Sequence, residues 1–512
     1  MPFARSPLAR AAVLPAAVFL ASHAPAQTIT QDDRLYASVQ GQAAGSAVAM
    51  TGTHVALGTQ QGHAVFVFDR ATGQEVRVYQ APVAGAGFGF SVAMHADTLV
   101  VGAPGAPGNA GAAYVYNIAT DQLVASLFSP GGAAGDDFGR SVAVHNDRVL
   151  VAAPLDDTVA ANAGACHLFR TNGQFLATIT DPLGVAGDEL GGTSGTGVAI
   201  GDQFALIGAA RADRDTLVNN GTAVVVSAAD GQFLRRLAPA DAQPGGQFGV
   251  SVALAGSTGV VGANLHTASG VFREGSAYLF DLATGDQLHR LVPPDPDPNE
   301  VFGLPVAIDD GLVLVGAQGD RVGGVAVGSA HLFRAADAGF ISTLLASDAA
   351  PGEQFARGLH LAGGSAVIGA PLSNDDGSQS GGAYRYRLTA ARITQQPRSL
   401  VADANAPASL AVEVENHAGV SYQWRLNGQP IDDGPEFQGA QASQLGVMAS
   451  DGTEGYYDCV ITRSPLPPVV SDQAVLAVLP NPDVCVPDVN EDGVINFFDV
   501  SLFIQLFNAG CP

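Results

Sequence analysis

One pattern recurs seven times along the chain, and no other feature restricts its fold as tightly. A glycine, often preceded by phenylalanine, opens an alternating apolar run. A polar turn follows, then a second run ending in a Val-Gly-Ala-Pro-like step. Beyond a loop, Gly-x-Ala opens a third run. Phe88-Gly89 leads into SVAMHADTLVVGAP and then GAAYVY at residues 111–116. Phe138-Gly139 leads into SVAVHNDRVLVAAP and then GACHLF at 164–169. Phe248-Gly249 and Phe302-Gly303 open two more full copies, whose third runs are GSAYLF at 275–280 and GSAHLF at 328–333. Three copies are degenerate, beginning at Gly45, Gly195 and Phe355-Ala356. Anchors at 45, 89, 139, 195, 249, 303 and 356 are 44 to 56 residues apart, the length of one four-stranded propeller blade. Alternation such as Val92, Met94 and Val142, Val144 marks strands with one face against a neighbour. The Gly-x-Ala step predicts a crowded strand near the ring axis.

Six copies continue into a fourth run, for example QEVRVYQ, DQLVASLFS and QFLRRLAP, whereas the seventh passes from Tyr386 directly to a new segment. A spare run of the same kind, residues 34–39, stands near the start of the chain. Pairing it with the seventh copy leaves no open sheet edge, so a seven-bladed β-propeller over residues 27–391 is expected. These repeats resemble the FG-GAP repeats of integrin α-subunit propellers and of bacterial surface proteins, over roughly residues 30–391. In that family some blades carry an Asp-x-Asp-x-Asp-Gly calcium loop. Here Leu155-Asp156-Asp157-Thr158 and Ser373-Asn374-Asp375-Asp376-Gly377 lack the alternating spacing and read as Asx-rich turns.

The repeats carry no Gly-x-Ser-x-Gly, no His-Glu-x-x-His and no Cys/His metal spacing, so a non-enzymatic protein is expected. His95 and His360 fall beside strand turns. His167 and His331 take the place of Tyr114 and Tyr278, and Cys166 takes an alanine slot; all are read as packing residues.

The Gln-Gln-Pro step near Ile393 starts a new unit. Leu410, Val412 and Val414 alternate, Trp424 sits in the next run, and Tyr457 and Cys459 in a later one. This resembles an immunoglobulin-like sandwich over residues 393–480, in which Trp424 would be the core Trp and Tyr457 the tyrosine-corner residue. Val412 stands where the first core cysteine would fall, so Cys459 is expected to be a buried free thiol, with pairing to another chain as the alternative.

Residues 488–499 place oxygens at loop positions 1, 3, 5, 9 and 12: Asp488, Asn490, Asp492, Asn496 and Asp499. Gly493 supplies the turn and Val494 a backbone carbonyl. A hard cation wants six to eight such oxygens, so Ca²⁺ is the expected cofactor. The loop resembles one dockerin repeat, and residues 485–512 resemble the short dockerin-like modules that end near Gly-Cys-Pro. That resemblance implies a small EF-hand/dockerin-like α module and a cohesin-like or other anchoring partner. A Cys485–Cys511 disulfide would fasten a module too small for its own core. The expected fold class is therefore mainly β: seven-bladed propeller, immunoglobulin-like sandwich, then an α module.

Residues 1–26 have a signal peptide's parts in order: Arg5 and Arg10, an apolar run, and Ala24-Pro25-Ala26. Secretion is expected, with attachment to the cell surface left open. Net charge is −25 and all 23 basic residues are arginine, a surface that repels nucleic acid and anionic membranes. No apolar run is long enough to span a bilayer, so an integral membrane protein is not expected. The leading function is a secreted or cell-surface binding or adhesion protein with a protein or glycan ligand. A carbohydrate-degrading enzyme or lectin, and a structural spacer, remain as alternatives.

Overall fold

The computed structural model describes residues 29, 31–39, 42–59, 63–83, 86–106, 108, 110–192, 194–374, 380–388, 393–414, 420–450, 452–463 and 466–479. Seven sheets of four antiparallel strands account for most of them. In the second blade the strands run Ser91–His95, Thr98–Ala103, Ala112–Asn117 and Gln122–Leu127, in that order from the centre outwards. Burial follows position. Thr98–Ala103 (TLVVGA) is buried at five of six residues, because neighbouring sheets cover both its faces. Gln122–Leu127 (QLVASL) is mostly exposed.

The innermost strands are Ala44–Met50, Ser91–His95, Val142–His145, Val198–Ile200, Phe248–Ala255, Val306–Asp309 and Leu359–Ala362. Each touches the next, and the seventh touches the first, so the blades close into a ring. The seventh sheet takes its outer strand from Gln31–Tyr36, which pairs antiparallel with Gly382–Arg387 in the register Leu35↔Ala383. Leu35 is fully buried there, and the Arg34 guanidinium lies 4.6 Å from the Tyr384 ring centroid.

The seams between blades hold the core. Phe88, Phe138, Phe248, Phe302 and Phe355 are all buried, and each packs on an aromatic ring of its own blade. Phe138 meets Phe169 edge-on at 6.1 Å, and Phe248 meets Phe280 at 5.7 Å. Burial of each such ring contributes about 1.5–3 kcal/mol. The recurrent glycines serve the same seams. A Cβ on Gly102 would stand 2.0 Å from the Gly139 carbonyl oxygen of the next blade, and one on Gly111 2.0 Å from that of Phe138. The Gly-x-Ala step is thus crowded by the neighbouring blade's Phe-Gly backbone, and its strand is third from the centre rather than beside the axis.

Residues 393–479 form a second unit. One sheet orders Leu400–Asp403, Ala474–Leu479, Gly455–Arg463, Ser421–Leu426 and Gln429–Pro430, with Leu466–Val470 also on Gly455–Arg463. The other holds Pro407–Ala411, Gln444–Met448 and Phe437–Gln438. Trp424, Val412, Tyr457 and Cys459 share one buried cluster. Trp424 Nε1 donates to the Ala442 carbonyl at 2.9 Å, and Tyr457 Oη to the Thr453 carbonyl at 2.5 Å. Cys459 is a free thiol, and burial pushes it up to about 12.

The expected fold class needs correction. Among the described residues there is no helix, and the fold is all-β rather than mainly β with an appended α module. The segment for which that module was expected, 485–512, lies outside the described residues, as does the leader-like segment 1–26. No helix of the described chain is long and apolar enough to cross a membrane.

Candidate functional site

Seven inner strands running the same way leave a channel on the ring axis, with a volume of roughly 620 Å³. That falls within the range of small-ligand cavities, about 300–1,000 Å³. Its wall carries one branched residue per blade: Val48, Val92, Val142, Val198, Val252, Val306 and Leu359. The repeat explains the ring, since each is the same slot after the Phe-Gly anchor. The channel's character is set at its two mouths.

At the mouth where the inner strands end in turns, histidines gather. The His95 and His145 rings stand 4.4 Å apart, and His145 Nε2 lies 2.8 Å from Asp202 Oδ1. Asn146 Nδ2 donates to the same oxygen at 3.0 Å. Burial, then the charge of His145, holds His95 below the usual imidazole range. His360 is held down to about 4 by burial and then by Arg70. Arg70 is fixed by its bonds to the carbonyls of Thr51 at 2.9 Å and Ala362 at 2.8 Å.

At the opposite mouth, where the inner strands begin, two of the residues that follow the anchors are arginines. Arg140 lies over the Phe90 ring at 4.2 Å and pairs with Asp137 at 3.4 Å. Arg357, in the same slot of the seventh blade, is half-buried. Burial and then the like charge of Arg140 depress its proton affinity. Among the described residues no hydrogen bond or ion pair reaches the Arg357 guanidinium, so it stands as a desolvated cation without a counter-charge.

A second set of polar side chains recurs in the blade seams. In four blades an acidic residue stands two positions before Phe138, Leu190, Phe302 or Phe355, and each carboxylate accepts a backbone N–H three residues back. The bonds are Ala133 N to Asp136 at 2.6 Å, Val185 N to Asp188 at 2.9 Å, Asp297 N to Glu300 at 3.0 Å and Ala350 N to Glu353 at 3.2 Å. In the sixth blade Glu300 converges with Asp320 and His331, the one group of three or more metal-ligating side chains among the described residues.

Of the residues singled out from sequence, Asp156 is buried and accepts the Thr158 N–H at 2.7 Å, and Asp157 accepts that of Asn162 at 2.7 Å. Both are turn-forming carboxylates. His167 and Cys166 are buried in a seam, whereas His95 and His360 line the channel instead of filling a packing position. Asp488, Asn490, Asp492, Val494, Asn496 and Asp499, with Cys485 and Cys511, lie outside the described residues. Arg140, Arg357 and Glu300 were not singled out. Their signal was present as a fixed offset from the Phe-Gly anchor, once the copies are aligned on one another.

The fold and these sites define a blade-like β-repeat platform. The chain carries five FG-GAP repeats, matched at residues 82–116, 122–169, 233–280, 286–333 and 339–386. The seventh copy, degenerate by eye, is among them, and the first and fourth blades are not. No curated protein matches the chain. Among solved structures, a streptogramin B lyase is 8% identical over 69% of this chain and 96% of its own, with a TM-score of 0.49. A chain of a mitotic checkpoint complex is 11% identical over 76% and 98%, at 0.47. Titin M4 is 20% identical over 18% and 97%, at 0.16.

Proposed function

We propose that this chain is an exported, non-enzymatic binding protein whose propeller-like ring takes an anionic group of a protein or glycan ligand at its arginine mouth. The observation that carries this reading is Arg357, half-buried beside Arg140 and, among the described residues, without a counter-charge, each arginine standing two residues before a side chain that lines the roughly 620 Å³ channel, Leu359 and Val142. A carboxylate or sulfate there would gain two guanidinium partners of planar, bidentate geometry. The net charge of −25 disfavours such ligands over the surface as a whole. The unit at 393–479 is read as an immunoglobulin-like spacer, on the buried Trp424, the Tyr457–Thr453 bond and the Val412/Cys459 pair. Beyond it, the oxygen donors of residues 488–499 suit Ca²⁺, and calcium-dependent attachment through that segment, with Cys485 and Cys511 joined, is the proposed means of anchoring.

The test is binding of the mature protein to arrays of carboxylated, sulfated and neutral glycans and of acidic peptides, beside the Arg357→Gln variant. Hits restricted to anionic ligands, and weakened at least about tenfold by the variant, are expected. Hits indifferent to Arg357, or a bound glycan cleaved by the protein, would reject the reading.

A further inference from the structure

We propose a divalent transition-metal site, suited to Zn²⁺, formed by Glu300, Asp320 and His331 in the seam between the fifth and sixth blades. Glu300 comes from the segment linking those blades, Asp320 from the loop after the sixth blade's second strand, and His331 from its third strand. Glu300 is fully buried, and the other two are exposed by less than a tenth. His331 Nε2 lies 3.5 Å from Glu300 Oε1 and 3.9 Å from Asp320 Oδ2. Both separations are too long for a good hydrogen bond. They are close to the spacing of co-ligands around a tetrahedral ion, about 3.3–3.4 Å for bonds of about 2.0–2.1 Å.

Two further facts point to a ligand. Glu300 Oε2 is satisfied by the Asp297 N–H, but Oε1, fully buried and aimed at the imidazole, has no hydrogen-bond partner. An unpartnered carboxylate oxygen costs several kcal/mol unless a cation or a proton meets it. The ring orientation is also set from behind, since His331 Nδ1 lies 3.1 Å from Thr343 Oγ1. With Nδ1–H donating to that hydroxyl, the Nε2 lone pair faces the carboxylates, the arrangement that supporting shells impose on ligating histidines. Ser329 Oγ, 2.8 Å from Nε2, is a fourth ligand atom within reach and would turn from the ring to the ion.

Charge balance agrees. Phe302 and Phe340 pack on the His331 ring at 5.6 and 6.4 Å, so the surroundings are apolar. Two carboxylates there leave an excess of negative charge even against an imidazolium, and a divalent ion removes it. The other blades serve as internal controls. The third has Asp136, Asp156 and His167, but its acid is one methylene shorter, and the fifth and seventh have tyrosine in the histidine slot. An ion at Glu300 would staple the inter-blade segment to the sixth blade.

The experiment is calorimetric titration of chelator-stripped full-length protein with Zn²⁺ in excess Ca²⁺, which saturates oxygen-only sites. It is paired with Zn-edge absorption spectroscopy and repeated on three variants. The expected result is one site per chain with nitrogen and oxygen ligands and a single imidazole. Loss of even a supporting residue costs about 10–100-fold in affinity, so Glu300→Gln and His331→Tyr should each lose more than about 100-fold. Asp488→Ala/Asp492→Ala should keep the site unchanged. Both single variants are conservative, and tyrosine is the residue other blades carry at that slot, so folding is checked by their unchanged circular dichroism. No Zn²⁺ binding, or binding that survives both single variants, overturns the proposal and leaves a cluster neutralised by protons alone.

Discussion

At the scale of single residues, the repeat gives its own set of natural substitutions. The third-strand slot holds Tyr114, His167, Tyr278, His331 and Tyr384 in five blades. Tyrosine stays neutral across ordinary pH, whereas histidine does not. His167 is 2% exposed, and burial, only partly offset by the carboxylate of Asp156, holds it down to about 4. Its unfolded value is the ordinary 6.5. Below 6.5 the unfolded chain takes up a proton that the folded state refuses. Stability is therefore full at neutral pH and is lost as the pH falls toward 4. Between pH 7 and pH 5 the loss from this one group is about 2 kcal/mol. Urea midpoints of the His167→Tyr variant should fall less over that interval than those of the parent, by that amount. An equal fall in both would mean the ring is hydrated or already charged in the folded protein.

At the scale of elements, the strand Gln31–Tyr36 carries more than its length would indicate. It closes the seventh sheet, buries Leu35 completely and brings Arg34 to Asp348 and Ser373. Without it Gly382–Arg387 becomes an open edge. Removing residues 27–38 should lower the melting temperature, expose an edge that self-associates, and be reversed by a synthetic peptide of residues 29–39. Light scattering and thermal melts of the truncated protein, with and without peptide, read both effects; a truncated protein as stable and monodisperse as the parent would defeat the argument. This strand was legible because the surplus run at the start of the chain and the deficit at its end have the same pattern. The Phe-Gly anchors and Val-Gly-Ala-Pro steps were legible because each marks a fixed steric need, a carbonyl of one blade against a glycine of the next. The role of Gly-x-Ala was misplaced, since sequence spacing shows that a position is crowded but not which neighbour crowds it. The channel histidines were missed for a related reason. A residue next to a turn looks the same in sequence whether its side chain enters a seam or faces the axis, and only the packing of one blade on the next brings His95 to His145, as only the closed ring brings Arg140 near Arg357.

At the scale of the whole molecule, the ring and the sandwich differ in what holds them. The ring's cores lie in seams that each need two blades, and the last blade needs both ends of the ring segment, so no blade is independent. It should unfold as one unit. The sandwich has its own cluster around Trp424, and among its described residues only Leu466 joins a core cluster of the ring. One partly shared side chain contributes about 1.5–3 kcal/mol, too little to force two cores of this size to melt together. The sequence offers a clean reporter, because Trp424 is the sole tryptophan and lies in the sandwich. Its fluorescence follows that unit alone, while far-ultraviolet circular dichroism is weighted to the larger ring. In urea the two signals should give separate midpoints. Leu35→Ala, which empties a ring position at a cost of about 2–5 kcal/mol, should move the dichroism midpoint and leave the fluorescence midpoint in place. Cys459→Ala should do the reverse, since the buried thiol packs beside Trp424. If both signals shift together in either variant, the two units fold as one, and the contact at Leu466 carries far more coupling than its buried area allows.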